Sequence, residues 1–278
     1  MTFFRVLIPL RDSDVREDYF LPLIEWLRWM QMPTCFLING PLYEEGAGHL
    51  SDRLGGNGLI AAVPATHIAN PYAARNAGLR HAFEISPGVD YAVLLDADVL
   101  PSENYRNELM RLMAQPGSHL IAGRTMTAIP PINTYHFNRL REAHFECYDG
   151  FTPPDHTIGA NMVISKVVWQ KLGPMRQDVS SGGDGCYGLA WKALGEIVTP
   201  GTDLIVTKTI YGMDFKGIIQ KQLHRACCYP PEMVPSFTEV KEALRHEFGA
   251  LSWLLLDEEA FATNYAAFID HVFKLGMR

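Results

Sequence analysis

Short apolar runs and longer amphipathic stretches take turns along the first half of this chain. Phe3–Pro9 reads as a buried strand, and Val15–Met30 sets Leu23, Trp26, Leu27 and Met30 on one helical face. Thr34–Ile38 is a second short strand, closed by the turn signal Asn39-Gly-Pro. A polar, glycine-rich loop covers 44–58, and Leu59–Val63 is a third strand. Asn70 opens a helix to about Phe83, with Pro71 at its first position. Tyr91–Leu95 is the fourth strand, Ser102 caps a helix to about Ala114, and His119–Gly123 is the fifth strand.

Strands alternating with helices predict an α/β fold, a mostly parallel sheet flanked by helices. In such sheets ligands bind at the carboxyl ends of the strands. Beyond Gly123 the pattern loosens. Residues 126–157 are rich in Pro, His, Tyr and Asn and read as an irregular excursion. Gly159–Ser165 is then a strand, Lys166–Leu172 a helix, Ser180–Gly185 the lead into a helix ending at Ala193, and Leu204–Thr209 a strand. Two helical patterns between Glu239 and Phe273 form a helical C-terminal appendage. The expected division is a main domain over 1–235, with halves meeting near 125, and the appendage over 236–278.

Composition narrows the class. With 47% hydrophobic and 20% charged residues over 278 positions, the chain is an ordinary globular one with a sizeable core. Its net charge of -7 disfavours a nucleic-acid partner. Five cysteines (Cys35, Cys147, Cys186, Cys227, Cys228), without a C-x-x-C, read as reduced thiols in a cytosolic protein. The opening residues are too short an apolar run for a signal peptide, and no run approaches a membrane span, which leaves peripheral membrane contact open.

The chemistry concentrates where the fourth strand ends, in YAVLLDAD: Asp96 and Asp98 flank one small residue at the carboxyl edge of a buried strand. Hard oxygen ligands at this spacing suit Mg2+ or Mn2+, which bind through one or two carboxylates plus substrate phosphates. Asp is also common in turns, so the pair alone is ambiguous. Its surroundings add to it: Ala74-Arg75-Asn76-Ala77-Gly78 upstream, then GANMVIS over 159–165 and SGGDG over 181–185. This order resembles the GT-A nucleotide-sugar glycosyltransferases, in particular the inverting family 2, over roughly residues 3–230.

The resemblance implies a Rossmann-like nucleotide-binding sheet and a nucleoside-diphosphate-sugar donor, with a glycan, a lipid-linked sugar or a small molecule as acceptor. It implies that Asp98 ligates a divalent cation and that Asp96 meets the donor ribose or the metal's water shell. Arg75 would face the base or phosphates, and Pro9 and Arg11 the nucleoside. Asn39 stands where the family often carries an acid that pairs with the base. Asp184 is the implied general base, taking the acceptor's proton as its oxygen attacks opposite the leaving group. It is also well placed to cap the helix that follows. Lys208 falls where the family commonly supplies a histidine to the metal; it would sit against the diphosphate, or His224 would reach the metal instead.

Two other readings stand beside this one, a sugar nucleotidyltransferase and a non-catalytic nucleotide- or sugar-binding scaffold on the same fold. The first would carry a glycine-rich loop after strand one, where this chain has IPLRDSD. Trp26 and Trp29 fit a packing stripe, Trp169 and Trp191 fit core, and Phe248–Phe273 fits helix core or a homo-oligomer contact.

Overall fold

A computed structural model describes residues 3–11, 14, 20–39, 60–66, 70–86, 88–128, 157–179 and 182–209. Nearly all belong to one compact unit built from Met1–Met126, Thr152–Asp178 and Gly183–Thr209. A second unit, Thr127–Phe151, Val179–Gly182 and Ile210–Arg278, falls almost wholly outside the described residues. The glycine-rich loop, most of the irregular excursion, His224 and the C-terminal appendage lie outside them too.

The parallel half of the sheet holds β1 (Phe4–Leu10), β2 (Thr34–Asn39), β3 (Ile60–Thr66) and β4 (Tyr91–Leu95). β1 runs parallel to β2 and β4, and β2 to β3, with Val6 opposite Thr34 and Leu7 opposite Leu94. β2 is buried at every position, and Val6, Leu7 and Ile8 are fully enclosed. That is why these strands read as unbroken apolar runs: helices cover both faces of a parallel sheet. Beyond β4 the direction changes. β7 (Asn161–Ser165) runs antiparallel to β4, and β6 (Leu120–Ala128) antiparallel to β7. β8 (Val198–Thr209) then carries the short β5 (Val99–Pro101) antiparallel at the far edge. Among the described residues the order is β3-β2-β1-β4-β7-β6-β8-β5.

Local rules set the helices. α1 (Phe20–Trp29) buries Phe20, Leu23, Ile24, Trp26 and Leu27, a stripe at helical spacing, and Trp26 meets Tyr105 edge-on at 5.9 Å. Trp29 departs from the expected stripe and stands 64% exposed, because it falls on the opposite face. α2 (Pro71–Arg80) starts as its sequence predicts, with the Asn70 side chain accepting from the Tyr72 and Ala73 amides. It runs on into a π turn over His81–Ile85. α3 (Tyr105–Met113) begins later than expected. β5 keeps 99–101 extended, and the Ser102 amide bonds to Ile205 of β8, so Ser102 serves the sheet edge rather than the helix cap. α4 (Lys166–Leu172) is capped by Ser165 and ended by Gly173, whose φ of 69° suits glycine. α5 (Gly183–Ala193) follows. Trp169 and Trp191 are core residues, as expected.

The centre of the sheet is pinned by one buried amide. Asn161 accepts the Tyr105 hydroxyl at 2.8 Å and donates to the Arg124 and Leu204 carbonyls, tying β6, β7 and β8 to α3. A buried polar group so fully satisfied specifies register without an unmet donor. No helix among the described residues is long and apolar enough to cross a membrane.

Candidate active site

Because β1, β2 and β4 are parallel, their carboxyl ends, Leu10, Asn39 and Leu95, open on the same edge of the sheet. Asp96 and Asp98 occupy the turn that leaves β4 there and enters β5. Each is a little under a third exposed, at 28% and 30%.

The A-R-N-A-G stretch supplies the partner of the first acid. α2 carries Arg75 inward, where its side chain is only 6% exposed and its Nη2 donates to Asp96 Oδ1 at 2.6 Å. Its Cζ lies 5.6 Å from the centre of the Tyr72 ring, a cation–π contact that braces the guanidinium. Asn76 exchanges two 2.8 Å hydrogen bonds with the Met175 backbone, and Gly78 lets α2 close on Leu37 of β2. Three letters of the motif therefore have three tasks: charge, anchorage and close approach. Burial opposes the charge on Arg75, but Asp96 and then Asp184 outweigh it and hold it more firmly protonated.

Lys208 reaches the acids from β8. In the β5–β8 pairing it lies opposite Val99, the residue after Asp98. Its Nζ stands 2.8 Å from Asp98 Oδ1 and 3.4 Å from Asp96 Oδ2. The contact with Asp98 is an ion pair by distance without hydrogen-bond alignment, since that buried oxygen has no aligned donor. Burial alone would raise the Asp96 carboxyl; Lys208 and Arg75 overcome it and bring it down to about 2.

Asp184 stands in the first turn of α5, where a carboxylate complements the helix dipole. Its Oδ2 accepts the Gly159 amide at 2.5 Å, and its Oδ1 accepts the Gly185 amide at 3.1 Å and the Tyr72 hydroxyl at 3.3 Å. Burial first, then the charge of Asp184, raises the Tyr72 hydroxyl, which stays a donor at neutral pH. Gly159 joins the two halves of the site. Its amide holds Asp184, and a Cβ there would stand 2.5 Å from Arg75 Cζ. The result is a chain of contacts, Lys208–Asp96–Arg75–Tyr72–Asp184. The contacts that Tyr72 and Gly159 make in this chain escape a reading of the sequence.

The remaining candidates are spread around this edge. Pro9 lies in β1 opposite Leu37. Arg11 is 67% exposed in its side chain and pairs with Asp14 at 3.1 Å. Asn39 ends β2 at an irregularity in the β2–β3 register, is buried, and among the described residues keeps Oδ1 without a hydrogen-bond partner. Among the described residues no three His, Cys, Asp or Glu side chains converge as a metal-ligand set. Asp96 and Asp98 nonetheless fit a hard divalent cation whose other positions come from phosphate and water, and the unaligned Asp98 Oδ1 is an oxygen with capacity for a ligand.

No family profile matches the sequence, and no curated protein matches it. Solved structures do match in shape. The chain is similar to the mannosyltransferase PcManGT of Pyrobaculum calidifontis, solved with GDP-Man and Mn2+ (TM-score 0.59, 16% identity, 99% of this chain and 86% of that one). It is similar to S. aureus TarS in complex with UDP-GlcNAc (TM-score 0.54, 11% identity, 98% and 73%). It is also similar to GalNAc-T7 with UDP, GalNAc and Mn2+ (TM-score 0.54, 13% identity, 97% and 57%). The fold is GT-A.

Proposed function

We propose that the chain is a nucleotide-sugar glycosyltransferase that moves a sugar from a nucleoside diphosphate to an acceptor hydroxyl, inverting the anomeric carbon. The observation that carries the reading is the placement of Asp96, Asp98, Arg75 and Lys208 at the carboxyl edge of a GT-A sheet, with Asp184 linked to them through Tyr72 and Gly159. The structural neighbours, solved with GDP-Man, UDP-GlcNAc or UDP and GalNAc, and two of them with Mn2+, support the donor class.

In this reading Asp96 and Asp98 would hold Mn2+ or Mg2+, which would supply positive charge to offset the negative charge developing on the leaving diphosphate. Arg75 fixes Asp96, and the edge near Pro9, Arg11 and Asn39 receives the nucleoside. Asn39 Oδ1, buried and without a partner among the described residues, is a ready acceptor for a base N–H. Asp184 takes the acceptor proton. A carboxylate offers about four lone-pair directions and three are filled here, which leaves one for an acceptor hydroxyl.

Those three donors also favour a second reading, in which Asp184 only fixes the start of α5 and the chain binds donor without turning it over. Asp184→Asn separates the two where its Tm and nucleotide affinity match wild type, since the amide takes up no proton and keeps one of the two acceptor oxygens. The transferase reading expects unchanged nucleotide affinity and a kcat, measured as nucleoside diphosphate release, lower by about 10²–10⁴. Unchanged turnover would remove Asp184 from the chemistry, and absence of turnover in the wild type with every donor would favour the scaffold.

A further inference from the structure

Lys208 contacts both acids of the turn after β4. One ammonium spans both acids, 2.8 Å from Asp98 and 3.4 Å from Asp96, and the β5–β8 register places its backbone opposite the residue after Asp98. It thus occupies the ground between the two carboxylates that a divalent cation would take. The two positive partners of the acid pair are held differently. Arg75 is locked by burial, by the Tyr72 ring and by the space that Gly159 leaves. Lys208 reaches the acids on a four-carbon stem, donates a long 3.4 Å hydrogen bond to Asp96, and meets Asp98 without hydrogen-bond alignment. With Lys208 on both acids and Arg75 shared between Asp96 and Asp184, positive charge already offsets much of the negative charge of the acid pair. A bare divalent cation gains little from a pair so offset, whereas a nucleoside diphosphate brings the negative charge that restores the attraction.

We infer that Lys208 is an internal counter-ion that keeps divalent metal off Asp96 and Asp98 until a nucleoside diphosphate arrives, at which point its ammonium moves from the carboxylates to the phosphates. Metal and nucleotide then bind as a unit, and the empty enzyme holds neither. The inference rests on the donor site assigned above.

The test is Mn2+ binding by the full chain, followed by the loss of the free-ion electron paramagnetic resonance signal, with and without UDP or GDP. In the absence of nucleotide, Lys208→Met takes up Mn2+ at least about tenfold more tightly than wild type, a difference of about 1.4 kcal/mol. Lys208→Arg, which keeps the charge, stays within about threefold of wild type. Mn2+ also raises the Tm of Lys208→Met and leaves that of the nucleotide-free wild type unchanged, a readout that survives a loss of stability in the variant. Lys208→Gln is the second variant should Lys208→Met fail to fold. Equal Mn2+ affinity in wild type and the uncharged variants overturns the inference, and so does a wild type that binds Mn2+ as tightly without nucleotide as with it. If Mn2+ and nucleotide bind the wild type together but loss of Lys208 leaves metal affinity unchanged, only the counter-ion role falls. If no nucleotide binds under any condition, the donor-site assignment falls with it.

Discussion

Adding one methyl group at Gly159 tests how Arg75 is held. The backbone at Gly159 is outside the left-handed region, so alanine is conformationally permitted there. On backbone entropy alone the change would stabilise the fold by about 0.4–1 kcal/mol. The structure predicts the opposite sign. The new Cβ would stand 2.5 Å from Arg75 Cζ, 2.7 Å from Nη1 and 2.8 Å from Nη2. Carbon atoms rest at about 3.5–4.0 Å, so the guanidinium must retreat by about 1 Å. That stretches its 2.6 Å hydrogen bond to Asp96 past bonding range. A hydrogen bond between charged groups contributes about 1.5–3 kcal/mol, and breaking a fully buried pair costs about 3–5. Asp96 keeps Lys208, which argues for the lower figure. We expect Gly159→Ala to lose about 2–3 kcal/mol in urea unfolding at neutral pH, and to bind nucleotide more weakly. In Arg75→Met, which removes the obstructed group, the same alanine should cost less than about 1 kcal/mol, a coupling that a double-mutant cycle resolves. A Gly159→Ala protein as stable as wild type would refute the packing argument.

Two further outcomes follow from the core. Tyr105→Phe strips the donor from Asn161 Oδ1, and should lower urea stability by about 1–3 kcal/mol without changing nucleotide affinity. Burial, only partly offset by Arg5, pushes the Cys35 thiol up to about 11 from 9.0, so native protein should resist alkylation at Cys35 at pH 9 while unfolded protein reacts. The sign of the linked effect follows: the unfolded thiol ionises first, so stability falls as pH rises from about 9 to about 11, by about 3 kcal/mol in all. Alkylation of the native protein at the unfolded rate would place Cys35 nearer solvent.

The parallel half of the sheet was legible in the sequence because physics there is local. Strands buried on both faces give unbroken apolar runs, Asn70-Pro71 announces a helix start, and two acids after a parallel strand mark a ligand edge. β5 was not legible. Three residues, one of them Pro101, carry no periodicity, and their pairing partner lies more than a hundred residues away on β8. Missing β5 misplaced the start of α3 and hid the contact of Lys208 with the two acids, which the β5–β8 pairing brings together. β8 starts at Val198, ahead of the expected Leu204, because Pro200 and Gly201, residues that favour turns, interrupt the strand pattern there. The link from Arg75 through Gly159 to Asp184 joins three distant segments. GANMVIS also proved double in purpose, since Gly159 serves the site while Asn161 pins the sheet.

The most direct measurement is calorimetric titration of UDP, GDP, CDP and dTDP into wild type and Asp98→Asn, each with and without Mn2+. The account predicts that one nucleotide binds wild type with Mn2+, and that removing either the metal or the Asp98 carboxylate weakens it by at least about tenfold. Folded wild-type protein that binds none of the four, or binding indifferent to both Mn2+ and Asp98, would contradict the assignment of this edge as a donor site.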